Sequence, residues 1–137
     1  MMSDREAVQT SGAPAALGPY SQGIVVRGSR LVFSAGQIGL DPATGQLVSG
    51  GIEAEAARVL DNLEAILKAA GSGLDRVVRT TLYLTDLRDF EIVNAEYARR
   101  VGSPFPARST VGVASLPKGA RIEIDMIAAA GPDREGA

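Results

Sequence analysis

Apolar positions change period several times along this chain, and each change marks an element. Ser21 to Arg27 and Leu31 to Ile38 are short β-prone runs separated by Gly28-Ser29-Arg30, a turn signal that predicts a hairpin. Asp41-Pro42-Ala43-Thr44-Gly45 predicts a turn, with proline fixing φ and glycine admitting positive φ, and a short extended piece through Leu47-Val48 follows. From Ile52 the pattern becomes helical: Ile52, Ala56, Val59, Leu60, Leu63, Leu67 and Ala70 recur at three- and four-residue steps, with charged residues opposite. Glu64 and Lys68 form a favourable pair on that helix, and Gly71 stands where a C-terminal cap belongs.

Alternation returns in Val77 to Thr85, where Val78, Thr80, Leu82 and Leu84 share one side of a predicted strand. A second helix follows, with Asp86 as N-cap, Phe90, Val93, Tyr97 and Val101 on one face, and Arg99-Arg100 then Gly102 at its end. Past Pro104-Phe105-Pro106, the segments Ala107 to Ala114 and Arg121 to Ala129 read as strands. In the last one Ile122, Ile124, Met126 and Ala128 point one way, leaving Arg121, Glu123 and Asp125 on the other.

The order of elements predicts an α+β fold in which two helices cover one face of a mixed sheet. The other face then needs cover, and a chain of 137 residues readily finds it in copies of itself, so a homo-oligomer is expected. The domain reading is a flexible lead-in over 1–12, one domain over 13–130 and a polar tail over 131–137.

Composition narrows the chemistry. There is no cysteine and no histidine, which removes the thiolate nucleophile, the commonest zinc ligands and the one side chain that titrates near neutrality unaided. Proton transfer is left to carboxylate, tyrosine, lysine or water. The two lysines, Lys68 and Lys118, lie in polar surroundings that do not favour a Schiff base. A net charge of −2 with scattered arginines argues against nucleic acid as a partner, no apolar run is long enough to span a membrane, and the lack of cysteine suits a cytoplasmic setting.

Two charged residues stand out. Arg108 opens an otherwise small, apolar strand, and its guanidinium is a planar fork that matches a carboxylate; an exposed strand end or a structural ion pair is the competing reading. Glu123 lies on an alternating strand whose charged side is equally well explained as a solvated face. If the two last strands form a hairpin in the simplest register, Gly112 opposes Glu123 and Arg108 lies on the same face four residues on. At about 3.3 Å per residue that separation, about 13 Å, suits a small acid held between two long side chains. Ser34-Ala35-Gly36-Gln37 ends the second strand, where a glycine lets a ligand approach the backbone, while Tyr20 and Asn94 are compatible with packing, capping or binding.

Taken in order, Gly18-Pro19-Tyr20-Ser21-Gln22, Ser34-Ala35-Gly36-Gln37-Ile38, Phe90-Glu91-Ile92-Val93-Asn94, Phe105-Pro106-Ala107-Arg108-Ser109 and Leu116 to Ile124 resemble the RidA family, also called the YjgF/YER057c/UK114 family, from about Ala13 to Ala129. The resemblance implies a chorismate-mutase-like α+β fold, a homotrimer with pockets at subunit interfaces, and hydrolysis of reactive 2-imino or enamine acids, such as 2-iminobutanoate and 2-iminopropanoate, to 2-keto acid and ammonia. It places Arg108 on the substrate carboxylate, Glu123 beside the attacking water, and Tyr20, Ala35, Gly36, Asn94 and Thr110 around the substrate, with no metal or cofactor. Ala35 departs from the serine that often precedes the Gly-Gln pair, and Thr110 stands where well-studied members carry cysteine. Alternatives from other classes are a non-enzymatic trimer that binds small acids or acts as a chaperone, a related catabolic deaminase, and a ribonuclease role that the mild acidity disfavours.

Overall fold

The computed structural model describes residues 5–28 and 30–131. Its strands are β1 (Arg5–Val8), β2 (Gly23–Val26), β3 (Leu31–Phe33), β4 (Val77–Leu84), β5 (Ala107–Gly112) and β6 (Ile122–Ala129), and its helices are α1 (Gly51–Ala69) and α2 (Phe90–Val101). Strands β3, β6, β4 and β5 make a mixed sheet in that order, while β1 and β2 pair as a separate antiparallel ribbon. Both helices lie on one face of the four-stranded sheet, as the apolar periodicity predicts.

The core forms where the two periods meet. Val59, Leu60, Leu63 and Leu67 of α1 and Val93, Tyr97 and Val101 of α2 bury against Leu82 and Leu84 of β4 and the alternating Ile122, Ile124, Met126 and Ala128 of β6. Each such aliphatic side chain contributes about 1.5–3 kcal/mol when fully removed from water. Gly71, at φ 77°, follows the end of α1, and Gly102, also at φ 77°, ends α2, both in the left-handed region that glycine tolerates. The turn at Asp41 forms as expected, with the Thr44 and Gly45 amides donating to the Asp41 carbonyl.

Three expectations are corrected. First, the runs flanking Gly28 do not pair with each other: β2 pairs with β1 and β3 with β6. Alternation marks a strand but carries no information about its partner. Ser29 of the expected turn lies outside the described residues. Second, the lead-in contains β1, because Arg5 is buried and its Nη1 donates to the Val77 carbonyl at 2.7 Å. Arg5, inside the expected flexible lead-in, is thus an anchor. Of the expected C-terminal tail, Gly131 donates its amide to the Gly71 carbonyl, and residues 132–137 lie outside the described residues. Third, β5 and β6 are not neighbours. Strand β4 lies between them, parallel to β5 after the α2 crossover and antiparallel to β6.

The face of the sheet away from the helices carries Tyr83, Glu123 and Asp125, and it leaves Phe33 and Val111 68% and 40% exposed. Large apolar groups on an uncovered sheet face mark a surface suited to another protein surface.

Candidate active site

Strand register fixes where the two charged candidates point. Arg108 is opposite Thr80, which is fully buried beneath the helices, so Arg108 projects to the helix side of the sheet. Glu123 is opposite Tyr83, on the other face. Within one chain they therefore belong to two separate clusters, and the expected single-faced pair does not form.

The first cluster surrounds Arg108. Phe90, Asn94 and Tyr97 are spaced by four and three residues and so line one stripe of α2. All three face the guanidinium. Arg108 Nη1 donates to Asn94 Oδ1 at 2.7 Å, and its central carbon lies 5.5 Å, 5.5 Å and 5.3 Å from the ring centres of Tyr20, Phe90 and Tyr97. Cations are attracted to aromatic faces at such distances. Tyr20 is brought there by the Gly18 to Gln22 segment, which is tied to the start of β5: the Ser21 amide donates to the Pro106 carbonyl at 3.0 Å and the Ser21 hydroxyl donates to the Phe105 carbonyl. The Tyr20 hydroxyl accepts from the Leu17 amide at 3.2 Å.

Arg108 is half-buried, and burial pushes its proton affinity below the ordinary arginine value, with Tyr97 and Tyr20 acting in the opposite sense. An arginine so placed still carries its charge. Among the described residues no carboxylate pairs with it, so the reading of a structural ion pair is set aside. Tyr97, fully buried with its hydroxyl 3.1 Å from Thr80 Oγ1, has its pKa pushed up to about 12 by burial, which keeps the phenol neutral and makes it a wall. Thr110, two residues beyond Arg108 on β5, lies on the same side of the sheet.

The second cluster surrounds Glu123. Ser34 donates its amide to Met126 O and Gln37 donates to Ile124 O, so three residue steps on this edge span two on β6. The extra residue makes a bulge that carries Ala35 and Gly36. Gly36 lies against Glu123: a Cβ there would sit 2.3 Å from Oε2. The Ser34 hydroxyl accepts from the Met126 amide at 2.9 Å and fixes the start of the bulge. The structure thus joins Ala35 and Gly36 to Glu123, and Tyr20 and Asn94 to Arg108.

A cleft of about 650 Å³ lies nearby between the N-terminal segment and Tyr20 to Gln22. Gln22 shapes it by donating to the carbonyls of Thr10, Ala13 and Pro14. Of the candidate residues, Tyr20 alone borders this cleft. Among the described residues no group of three or more acidic side chains is placed to hold a metal ion, and no helix is long and apolar enough to cross a membrane.

The family model described as endoribonuclease L-PSP matches residues 10–130. The chain belongs to this family, the RidA/YjgF family. It is 50% identical over 128 residues to the 2-iminobutanoate/2-iminopropanoate deaminase of Homo sapiens, an alignment that covers 93% of this chain and 92% of the human one. Its fold is similar to the crystal structure of RidA from an Antarctic Psychrobacter, with a TM-score of 0.71 at 43% identity over 90% of this chain and 98% of the other. It is also similar to E. coli TdcF with bound serine, with a TM-score of 0.69 at 38% identity over 92% and 99% of the two chains.

Sequence reasoning missed the part Phe90 and Tyr97 play as walls around Arg108. Their spacing with Asn94 was visible, but an apolar stripe on a helix reads equally well as plain core. The contact between Gly36 and Glu123 had no signal in spacing, since it depends on a bulge at a strand edge.

Proposed function

We propose that this RidA-family chain is a hydrolytic deaminase that converts reactive 2-imino and enamine acids to 2-keto acids and ammonia. One observation carries the reading: a half-buried guanidinium, set among three aromatic rings and steadied by Asn94, has no carboxylate partner among the described residues. Such a group is prepared for a small anion, and the carboxylate of a 2-imino acid fits its fork. The close human relative bears the name of that activity.

The chemistry asks little of the protein. In a protonated imine, C2 is already electrophilic. Water adds its oxygen to C2 while one of its protons passes to the Glu123 carboxylate. Glu123 returns a proton to the nitrogen, the C–N bond breaks with its electron pair leaving on ammonia, and the remaining hydroxyl loses its proton as the keto C=O forms. One iminium and one water become one keto acid and one ammonium ion. Orientation of the substrate and a single relaying carboxylate supply the rate.

Arg108 and Glu123 lie on opposite faces of the sheet in one chain, and the open face leaves Phe33 and Val111 exposed. We therefore read the working form as a homotrimer in which Arg108, Asn94, Tyr20 and Thr110 of one subunit face Glu123, Gly36 and Ala35 of the next. The described domain, 13–130 in this reading, acts in the cytoplasm and without a cofactor.

The test is keto-acid release from 2-imino acids generated in situ from straight, branched and aromatic amino acids. Arg108→Ala is expected to lower kcat/KM about 100-fold, the worth of a charge-assisted bidentate contact, and Glu123→Gln about 100-fold mainly through kcat. Equal rates for wild type and both variants would remove the enzymatic reading and leave a trimeric acid-binding protein.

A further inference from the structure

Glu55, near the start of α1, is a carboxylate that the reaction does not use, and it is only 3% exposed. Its Oε1 accepts from the Arg121 amide at 2.8 Å, and its Oε2 lies 3.6 Å from Nε of the exposed Arg121 side chain. An apolar side chain often fills a core position at less cost than a buried carboxylate. What the carboxylate adds is a fixed place for the backbone that enters β6, two residues before Glu123. Seven residues on, and so two turns along the same face of α1, Asn62 donates its Nδ2 to the carbonyls of Ile38 and Leu40 at 3.4 Å and 3.0 Å. Arg58 Nε donates to Asn62 Oδ1 at 3.1 Å, which leaves the amide nitrogen for those carbonyls. Between them Gly39 is pressed onto the helix: a Cβ there would stand 3.1 Å from Glu55 Cα.

The strap that carries Gly36 is joined to β6 at Gln37, whose amide donates to the Ile124 carbonyl at 2.8 Å and whose carbonyl accepts from the Ile124 amide at 3.1 Å. Past that point the strap turns away, and the Gly39 carbonyl accepts from the Val48 amide instead. Helix α1 thus grips both sides of the contact between Gly36 and Glu123, the strap through Asn62 and the packed Gly39, and the start of β6 through Glu55. These grips lie on the helix side of the sheet while Glu123 leaves the other face, so they act on it through the backbone. We propose that Glu55 and Asn62 are positioning residues that hold the strap and the start of β6 in the alignment that aims the Glu123 carboxylate at the substrate. The inference rests on the reading of Glu123 as the proton relay.

The experiment measures kcat and KM for keto-acid release by the full chain in its native assembly. Glu55→Ala, Asn62→Ala and Glu55→Gln are each made in the wild-type and in the Glu123→Ala background and assayed below every unfolding midpoint. Glu55→Ala and Asn62→Ala are each expected to lower kcat about tenfold with KM within about twofold of wild type, because the carboxylate is displaced while Arg108 is not. In the Glu123→Ala background the same changes are expected to cost less than about twofold, since the group they aim is gone. Glu55→Gln keeps an oxygen for the Arg121 amide and is expected to keep kcat within about twofold. Should one alanine variant fail to fold, the other decides. The positioning role is overturned, with Glu123 left standing as the relay, if a folded alanine variant keeps the wild-type kcat, if it loses the same factor in both backgrounds as a general loosening of the fold would cause, or if Glu55→Gln is as slow as Glu55→Ala. If Glu123→Ala by itself leaves kcat unchanged, the relay reading falls and the positioning role with it.

Discussion

Gly36 and Glu123 meet so closely that the glycine cannot carry a side chain without moving the carboxylate. A Cβ at Gly36 would lie 2.3 Å from Glu123 Oε2 and 3.2 Å from Cγ. Those atoms belong to a flexible side chain, so Gly36→Ala should cost the fold less than about 1 kcal/mol, the usual range for surface changes. Glu123, however, must rotate away from its present position. The expectation is a native-like unfolding midpoint together with a fall in kcat of about tenfold or more, approaching the Glu123→Gln value. A variant with wild-type kcat would show that the carboxylate need not stand where the glycine admits it. Arg108 illustrates a complementary rule. Its partial burial weakens its hydration, and the same low-polarity surroundings strengthen its attraction for any carboxylate that reaches it.

At the scale of elements, the β1–β2 ribbon connects stability to the site, because the chain leaving Tyr20 runs directly into β2 and β2 is held by β1. Arg5 fixes the ribbon to the body of the domain. The ladder between β4 and β6 is irregular between Val77 and Arg79, and the Val77 carbonyl accepts from Arg5 at 2.7 Å. Arg5→Met keeps an apolar stem but removes the donor, leaving a buried carbonyl short of a partner. It should destabilise the protein by about 1–3 kcal/mol in urea unfolding. A change within a few tenths of a kcal/mol would mean that β1 is held by its ladder alone. Arg5 also shows why parts of the fold were not legible in the sequence. Helices α1 and α2 and strands β4 and β6 announce themselves, since their burial follows a local period that any window of residues displays. The partners of β2, β3 and β5 depend on contacts between segments far apart in the chain, and a short polar stretch such as Arg5–Val8 gives no hint of them. Arg108 and Asn94 were legible through their motifs. That they meet two aromatic walls, and that Glu123 turns its back on them, required the register of β4 between β5 and β6.

For the whole molecule, the proposed pairing of Arg108 with Glu123 makes a demand that a single chain cannot meet. Strands β5 and β6 are separated by β4, so about 10 Å of sheet lies between the backbones that carry Arg108 and Glu123, and their side chains leave in opposite directions. A substrate that touches both must lie between two copies related head to tail, and closed rings built this way repeat the same contact at every junction. Subunit mixing tests this directly. Arg108→Ala supplies an intact Glu123, and Glu123→Gln supplies an intact Arg108. When the two inactive variants are co-expressed in equal amounts and assemble at random, a junction is fully wild type only if one variant supplies the arginine side and the other the glutamate side. That arrangement has a probability of one half times one half, so about a quarter of wild-type activity should return, although each variant alone is nearly inactive. Mixing the separately purified proteins without subunit exchange should restore nothing. If co-assembled variants stay as inactive as their parents while forming mixed rings, then Arg108 of one subunit and Glu123 of the next do not share a pocket.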